Sequence, residues 1–378
     1  MKLSQVNCKN VLCIRADNMG DIIMSGPAMR ALKETLQCRI TLLTSPMGAP
    51  ITTHIPEVDK VIACEIPWVK AGNDLNAEAA RALTERIKNE SFDAAIIFTV
   101  YSQNPLPAAL LTYLAGIPVR LAYCRENPYG LLTHWVPDQE PYTFIQHQVA
   151  RDLKLVETLG AFTSNNTLQL KQQAADISTT GEKLRQTGIT GNYIVLHPGV
   201  SEEKRKYPVD RWAATARLLS AQHNLPVVIS GSAADAALAN AIVDQAEAAC
   251  RSMAGKLNMA EWISLLDKAS LLVSVNTGAI HISAAVQTPT IVLYALTNPQ
   301  HTPWRSPAIV LPFSVPGSLK SRNEVIKYVD ELLFTQHIAY PAPKEVAAAA
   351  ASLLLQPGKY ISTSIIDLNS NPVVDHCL

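Results

Sequence analysis

Val11-Leu12-Cys13-Ile14-Arg15-Ala16-Asp17-Asn18-Met19-Gly20-Asp21-Ile22-Ile23-Met24 is the stretch on which the fold turns. A short apolar, β-rich run stops at Arg15, a polar turn follows, and an apolar run of helical character begins beyond Gly20. Strand, turn and helix in that order open a βα unit, and the pattern continues outward. Residues 40–44, 61–64 and 94–100 read as further strands, separated by stretches such as 78–88 with helical periodicity. Such alternation implies a mainly parallel sheet. After a helical stretch at 146–159, residues 160–191 are rich in Thr, Ser, Asn and Gln and carry no long apolar run, although 177–186 has helical character, so a domain boundary belongs there. The alternation then restarts with strands at 193–196, 227–229, 271–275 and 291–294 and helices at 233–249 and 259–267. The expected fold is α/β, with two doubly wound, Rossmann-like domains facing each other across an inter-domain cleft where the carboxyl ends of the strands bind ligands.

Composition narrows the function. A chain of 378 residues, 48% hydrophobic and 17% charged, can bury more than one core. Lys+Arg 32 offsets Asp+Glu 32, so no global field draws the protein onto nucleic acid or an anionic membrane, and a polyanion must be gripped locally. The 7 cysteines are scattered and never in C-x-x-C spacing, which reads as reduced thiols in a cytosol. The first ten residues are too polar for a signal peptide, and the longest apolar run, 346–355, is about half of a membrane span. The expectation is a cytoplasmic protein without a transmembrane segment, compatible with an acceptor at the cytoplasmic face of the inner membrane.

Each candidate motif has a functional and a bland reading. Asp21 sits at a strand-to-helix turn beside Gly20, where a carboxylate takes a proton from a substrate hydroxyl or simply caps the helix. His197-Pro198-Gly199-Val200-Ser201, followed by Lys204-Arg205-Lys206 and Tyr207-Pro208, suits a diphosphate gaining charge as its bond breaks; it equally suits a solvated basic loop ahead of a helix near Pro208. Asn276-Thr277-Gly278-Ala279-Ile280-His281 runs from a buried strand into a helix whose free N–H groups favour an anion, or is an ordinary capped turn with His281 packed in the core. The loop 293–304, polar and punctuated by proline, lines a site or makes surface turns. The P-loop, G-x-G-x-x-G, H-E-x-x-H and Asp-x-Asp patterns are all missing, so any leaving-group charge falls to cations and helix dipoles.

Taken together, Asp17-Asn18-Met19-Gly20-Asp21 with Pro27, His197-Pro198-Gly199, Lys204-Arg205-Lys206-Tyr207-Pro208 and Asn276-Thr277-Gly278-Ala279-Ile280-His281 resemble glycosyltransferase family 9, the lipopolysaccharide heptosyltransferase family, over about residues 11–303. The resemblance implies the GT-B fold, with an acceptor-side domain at 1–175, a nucleotide-sugar-binding domain at 176–340, and a last helix in 341–378 that returns to the first domain. It implies an inverting glycosyltransferase that needs no metal or other cofactor and moves a heptose or related sugar from an ADP-sugar to a lipopolysaccharide or other glycan acceptor. By position, Asp21 resembles the general base, Ser201 with Lys204, Arg205 and Lys206 the diphosphate grip, and Thr277, Gly278 and His281 the donor-binding helix start. Asp235 is a candidate for the nucleotide ribose or a helix cap. Two positions depart from the family: Arg205 stands where lysine is usual, and Asn276 where an aspartate is common. A nucleotide-sugar epimerase and a non-catalytic nucleotide-sugar-binding descendant are the rival readings.

Overall fold

The computed structural model describes residues 8–66, 68 and 77–355. The chain divides into two compact units, with the change of unit between Gln169 and Leu170.

The first unit runs β1 (Asn10–Ile14), α1 (Met19–Leu36), β2 (Arg39–Thr44), α2 (Ala49–Thr52), β3 (Lys60–Ala63), α3 (Ala77–Asn89), β4 (Ala94–Ile97), α4 (Leu106–Leu114), β5 (Val119–Cys124), β6 (His134–Pro137) and α5 (Gln148–Glu157). The strands form one parallel sheet in the order β3-β2-β1-β4-β5-β6. β1 is central, and Val11, Leu12, Cys13 and Ile14 are all buried, which is why it reads as a continuous apolar run instead of an alternating one. α1 packs against α5 and is buried along most of its length. It ends where Gln37 turns left-handed at φ 53° and donates its N–H to the Lys33 carbonyl at 2.9 Å.

The second unit runs α6 (Ala174–Gln186), β7 (Ile194–His197), α7 (Val209–His223), β8 (Val227–Ile229), α8 (Ala236–Ala246), β9 (Cys250–Ser252), α9 (Met259–Asp267), β10 (Leu271–Val275), α10 (Gly278–Val286), β11 (Thr290–Ala295), β12 (Ala308–Phe313), α11 (Glu324–Leu333) and α12 (Pro343–Leu355). Its parallel sheet has the order β12-β11-β10-β7-β8-β9. Counted within each unit, both sheets have the dinucleotide-fold order 3-2-1-4-5-6, so the doubly wound expectation holds twice. In such a sheet the strand order reverses at one place, and the crevice there opens at the carboxyl ends of the two central strands: β1 and β4 in the first unit, β7 and β10 in the second.

Two expectations change. The boundary falls earlier than residue 175 because α6 belongs wholly to the second unit: it packs on α9, where Lys183 Nζ meets Glu261 Oε2 at 2.7 Å and Thr180 Oγ1 donates to the Glu261 carbonyl at 3.2 Å. The last described helix also stays in the second unit, where the resemblance placed it back on the first. Val346, Ala347, Ala350 and Leu353 of α12 join a core with Trp212 of α7 and Phe313 of β12. Its alanines let the helix approach α7 closely, and burying Val346 and Leu353 contributes about 1.5–3 kcal/mol each. The preceding chain is tied down as well, since Tyr207 Oη donates to the Pro341 carbonyl at 2.7 Å and Arg211 Nη1 to that of Tyr340 at 2.8 Å. The remainder of the 341–378 segment lies outside the described residues.

Candidate functional site

At the strand-order reversal of the first unit, the loop from β1 to α1 builds a charged cluster around Arg15, which has no exposed surface. Arg15 Nε lies 3.0 Å from Asp17 Oδ2, and its Nη2 lies 3.0 Å from Asp21 Oδ1. Burial pulls the Arg15 guanidinium towards its neutral form, but Asp17, Asp21 and Asp152 outweigh that, so it is held charged more firmly than usual. Asp21 is in the first turn of α1, and its Oδ2 accepts the Asn18 N–H at 3.3 Å. The capping reading of Asp21 therefore holds, and the residue stands in the turn that follows β1, next to the strand-order reversal.

Asp17 is held on every side: Oδ1 accepts from Gln103 Nε2 at 2.5 Å, and its carbonyl accepts from Ser45 Oγ at 2.9 Å. Gly48 passes so close that a Cβ there would sit 2.9 Å from the Asp17 carbonyl, which only glycine permits. Burial, reinforced by the Asp21 charge, raises the proton affinity of Asp17 despite Arg15. Beneath this layer Asp152 of α5 is 1% exposed, accepts from Ser25 Oγ and Gln148 Nε2 at 2.7 Å each, and is raised by burial to about 6. Its neighbour Arg151 is pinned by Asp138 at 2.8 Å and Glu140 at 2.6 Å and forms, with Tyr123 and Phe144, part of the wall of a cavity of about 300 Å³ at the ends of β5 and β6.

In the second unit the corresponding crevice is bridged directly. The turn 203–205 after β7 carries Arg205, whose Nη1 donates to the Asn276 carbonyl at the end of β10, 3.0 Å away. Arg205 is also paired with Glu202 at 2.9 Å, and its buried Nε has no hydrogen-bond partner among the described residues. The Asn276 side chain is a clip: Nδ2 donates to the Ala295 carbonyl and to Thr297 Oγ1, and Oδ1 accepts the Ala295 N–H, all at 3.1 Å. It fastens the end of β10 to the end of β11. Thr277, in extended conformation, is the N-cap of α10, so the first N–H groups of that helix begin at Gly278, two residues past the Asn276 carbonyl that Arg205 reaches.

On the other flank of β7, His197 is buried, with Nδ1 2.9 Å from Ser230 Oγ and its ring 5.0 Å from that of Trp262. Burial lowers its pKa to about 4, so the imidazole is neutral at ordinary pH. Gly199 and Gly231 both pack against Asp235: a Cβ at Gly199 would meet its carboxylate at 2.7 Å, and one at Gly231 its Cβ at 2.8 Å.

The expected residues thus separate into groups. Arg205, Asn276, Thr277 and Gly278 converge at one crevice, and Arg205 is the member of the basic cluster that reaches it. Lys204 pairs with Glu202 at 3.3 Å, while Lys206 turns to Glu203 at 2.6 Å and is half exposed. Ser201 is exposed in the loop before them. Asp235 accepts from Ser232 N–H at 2.8 Å and Oγ at 2.7 Å, which makes it a cap. His281 is 4% exposed and lies edge-on to His301 with ring centres 6.3 Å apart, as a packed histidine would. Sequence reasoning passed over Arg15, Asp17, Gln103, Asp152 and Trp262. Arg15 and Asp17 stood in the quoted motif, but nothing local showed that their charges would be buried together, and Gln103, Asp152 and Trp262 carried no signal.

The comparisons with known proteins agree with this architecture. The model of glycosyltransferase family 9 (heptosyltransferase) matches residues 80–318, more than half of the chain. Lipooligosaccharide heptosyltransferase 2 of Haemophilus influenzae is 27% identical over 78% of this chain and 85% of its own length. Lipopolysaccharide heptosyltransferase 2 of Escherichia coli is 26% identical over 78% and 84%. Among solved structures, a family 9 glycosyl transferase from Veillonella parvula superimposes with a TM-score of 0.74 at 18% identity, covering 92% of this chain and 97% of that one. E. coli ADP-heptose lps heptosyltransferase II does so with a TM-score of 0.69 at 24% identity, covering 92% and 99%. Both support the two-sheet GT-B fold. With the family model spanning the second-unit motifs and the sheet order repeated in each half, the chain belongs to glycosyltransferase family 9, the heptosyltransferases.

Proposed function

We propose that the protein transfers a heptose or a closely related sugar from an ADP-sugar to a hydroxyl of a lipopolysaccharide core, with inversion and without a divalent metal. The observation that carries this reading is the bridge from Arg205 to Asn276 at the start of α10, which sets a permanent cation beside free helix N–H groups where a diphosphate would rest. The names of the relatives point the same way, as does the E. coli heptosyltransferase solved with ADP. In the proposed step the acceptor oxygen attacks the anomeric carbon as the bond from that carbon to the diphosphate oxygen breaks. The acceptor proton passes to the Asp21 carboxylate, and the electron pair of the broken bond leaves with ADP, whose added charge Arg205 and α10 stabilise. No helix among the described residues is long and apolar enough to cross a membrane, so a membrane-borne acceptor would be met at the bilayer surface.

The test is calorimetric titration of the purified protein, without added metal, against ADP, UDP, GDP and their nucleosides, followed by turnover with the corresponding heptose donor and heptose-deficient lipopolysaccharide. Diphosphate-dependent binding of ADP with metal-free turnover supports the proposal. Turnover only with added divalent metal, or conversion of the donor without acceptor, would overturn it. Asp21→Asn should lower kcat by about 100-fold or more while leaving ADP affinity nearly unchanged.

A further inference from the structure

A carboxylate held against a buried guanidinium is ordinarily a poor base, because the cation favours its ionised form. Asp21 is so held, yet it shares that cation. Arg15 turns Nε to Asp17 and Nη2 to Asp21, each at 3.0 Å, so one positive charge serves two carboxylates. Asp17 cannot swing away, since Gln103 holds its side chain and Ser45 and Gly48 hold its backbone. Asp21 is fixed as well, with the Arg15 contact on one oxygen and the Asn18 N–H on the other.

We infer that Arg15 and Asp17 act as a positioning pair for Asp21: Arg15 fixes the direction of its carboxylate, and Asp17, by drawing on the same guanidinium, keeps its proton affinity high enough to accept the acceptor proton. The inference rests on the reading of Asp21 as the base. Among the described residues, further charged groups reach this cluster from α5. From α5 come Asp152, hydrogen-bonded to Ser25 and Gln148, and beyond it Arg151, which Asp138 and Glu140 neutralise. α2, which also packs on α1, is Ala49-Pro50-Ile51-Thr52 and brings no charge. Asp17 is thus the one carboxylate competing for Arg15 within the same loop.

The experiment separates this inference from the base assignment by reading the carboxyl directly. The full chain, labelled with 13C at the aspartate carboxyls, is titrated by NMR as wild type, Asp17→Asn, Asp17→Glu and Asp21→Asn, the last identifying the Asp21 signal. Asp17→Asn removes the one other carboxylate in contact with Arg15, so the Asp21 pKa should fall by about one unit, whereas Asp17→Glu should keep it near the wild-type value. In turnover with ADP-heptose, the acidic limb of the kcat profile of Asp17→Asn should move down by the same amount and its plateau should fall, with the donor KM unchanged. An Asp21 titration that does not move in Asp17→Asn, or that moves upward, overturns the inference. If the titration shifts as expected while Asp21→Asn retains full turnover, the shared-cation inference stands at the level of charge and the base assignment fails instead. Should Asp17→Asn not fold, Asp17→Ser removes the same charge with less bulk and must give the same downward shift.

Discussion

Asn276→Asp changes a single amide group to an oxygen, and the structure predicts a measurable loss of stability from it. The Asn276 Nδ2 makes two hydrogen bonds of 3.1 Å, to the Ala295 carbonyl and Thr297 Oγ1, and the residue is 6% exposed. A carboxylate keeps the bond from the Ala295 N–H but sets an anionic oxygen against the Ala295 carbonyl. Losing the two donated bonds and leaving a buried carbonyl unsatisfied costs about 3 kcal/mol, and attraction to the nearby Arg205 guanidinium returns about 1 kcal/mol. The net loss of about 2 kcal/mol corresponds to a fall in Tm of about 4–8 °C for a unit of this size.

The pH dependence of that deficit identifies its cause. The introduced carboxyl is buried against a carbonyl, so its folded pKa lies above its unfolded one. The folded state then binds the proton more tightly, and the deficit shrinks as pH falls through the folded pKa, where a protonated carboxyl can donate to Ala295 as the amide did. Scanning calorimetry of wild type and Asn276→Asp across the pH range reads both effects. Equal Tm values in mildly alkaline buffer, or a deficit that does not change with pH, would refute the clip.

Other consequences follow from the same geometry. Asp152, raised by burial to about 6, is protonated in the folded chain at pH values where the unfolded chain has already ionised, so its contribution to stability grows as pH falls through about 6 and is lost above it. Asp152→Asn still accepts from Gln148 Nε2 through its one amide oxygen and meets Ser25 Oγ as a donor, the Ser25 hydroxyl then donating to the Asp21 carbonyl, so in alkaline buffer it should melt at or above the wild-type temperature with a flatter pH slope; a lower Tm there would mean that the ionised carboxylate is stabilising. Gly199→Ala should cost about 1–2 kcal/mol, because a Cβ at 2.7 Å displaces an Asp235 carboxylate anchored by Ser232, and denaturant unfolding should show the same substitution costing much less when made in Asp235→Ala than in wild type. Arg205→Met should weaken ADP binding at least tenfold while changing adenosine binding by less than about twofold, as calorimetry can measure; equal losses would assign Arg205 to structure alone.

The alternation of apolar runs decided the chain's class before any coordinates, because a strand buried on both faces must be continuously apolar and a parallel neighbour must be reached through a helix. β1, β2, β8 and β10 were legible for that reason. The edge strands β6, β9 and β12 were not, since they are short, partly exposed or interrupted by Pro312, and an edge needs less apolar surface. The motif loops at Asp21, Arg205 and Asn276 were legible as positions, because glycine and small polar residues mark where a strand turns into a helix.

What those side chains do was decided by tertiary structure. Nothing local distinguishes Arg205 from Lys204 and Lys206, yet the fold brings it alone of the three to the Asn276 carbonyl, 71 residues away. Asp152 lies 127 residues from Ser25, and its altered proton affinity comes from burial, a property of the packed molecule. Periodicity is written in neighbouring residues and can be read from them. Shared charge, burial and a clip between strand ends exist only once distant segments are packed together.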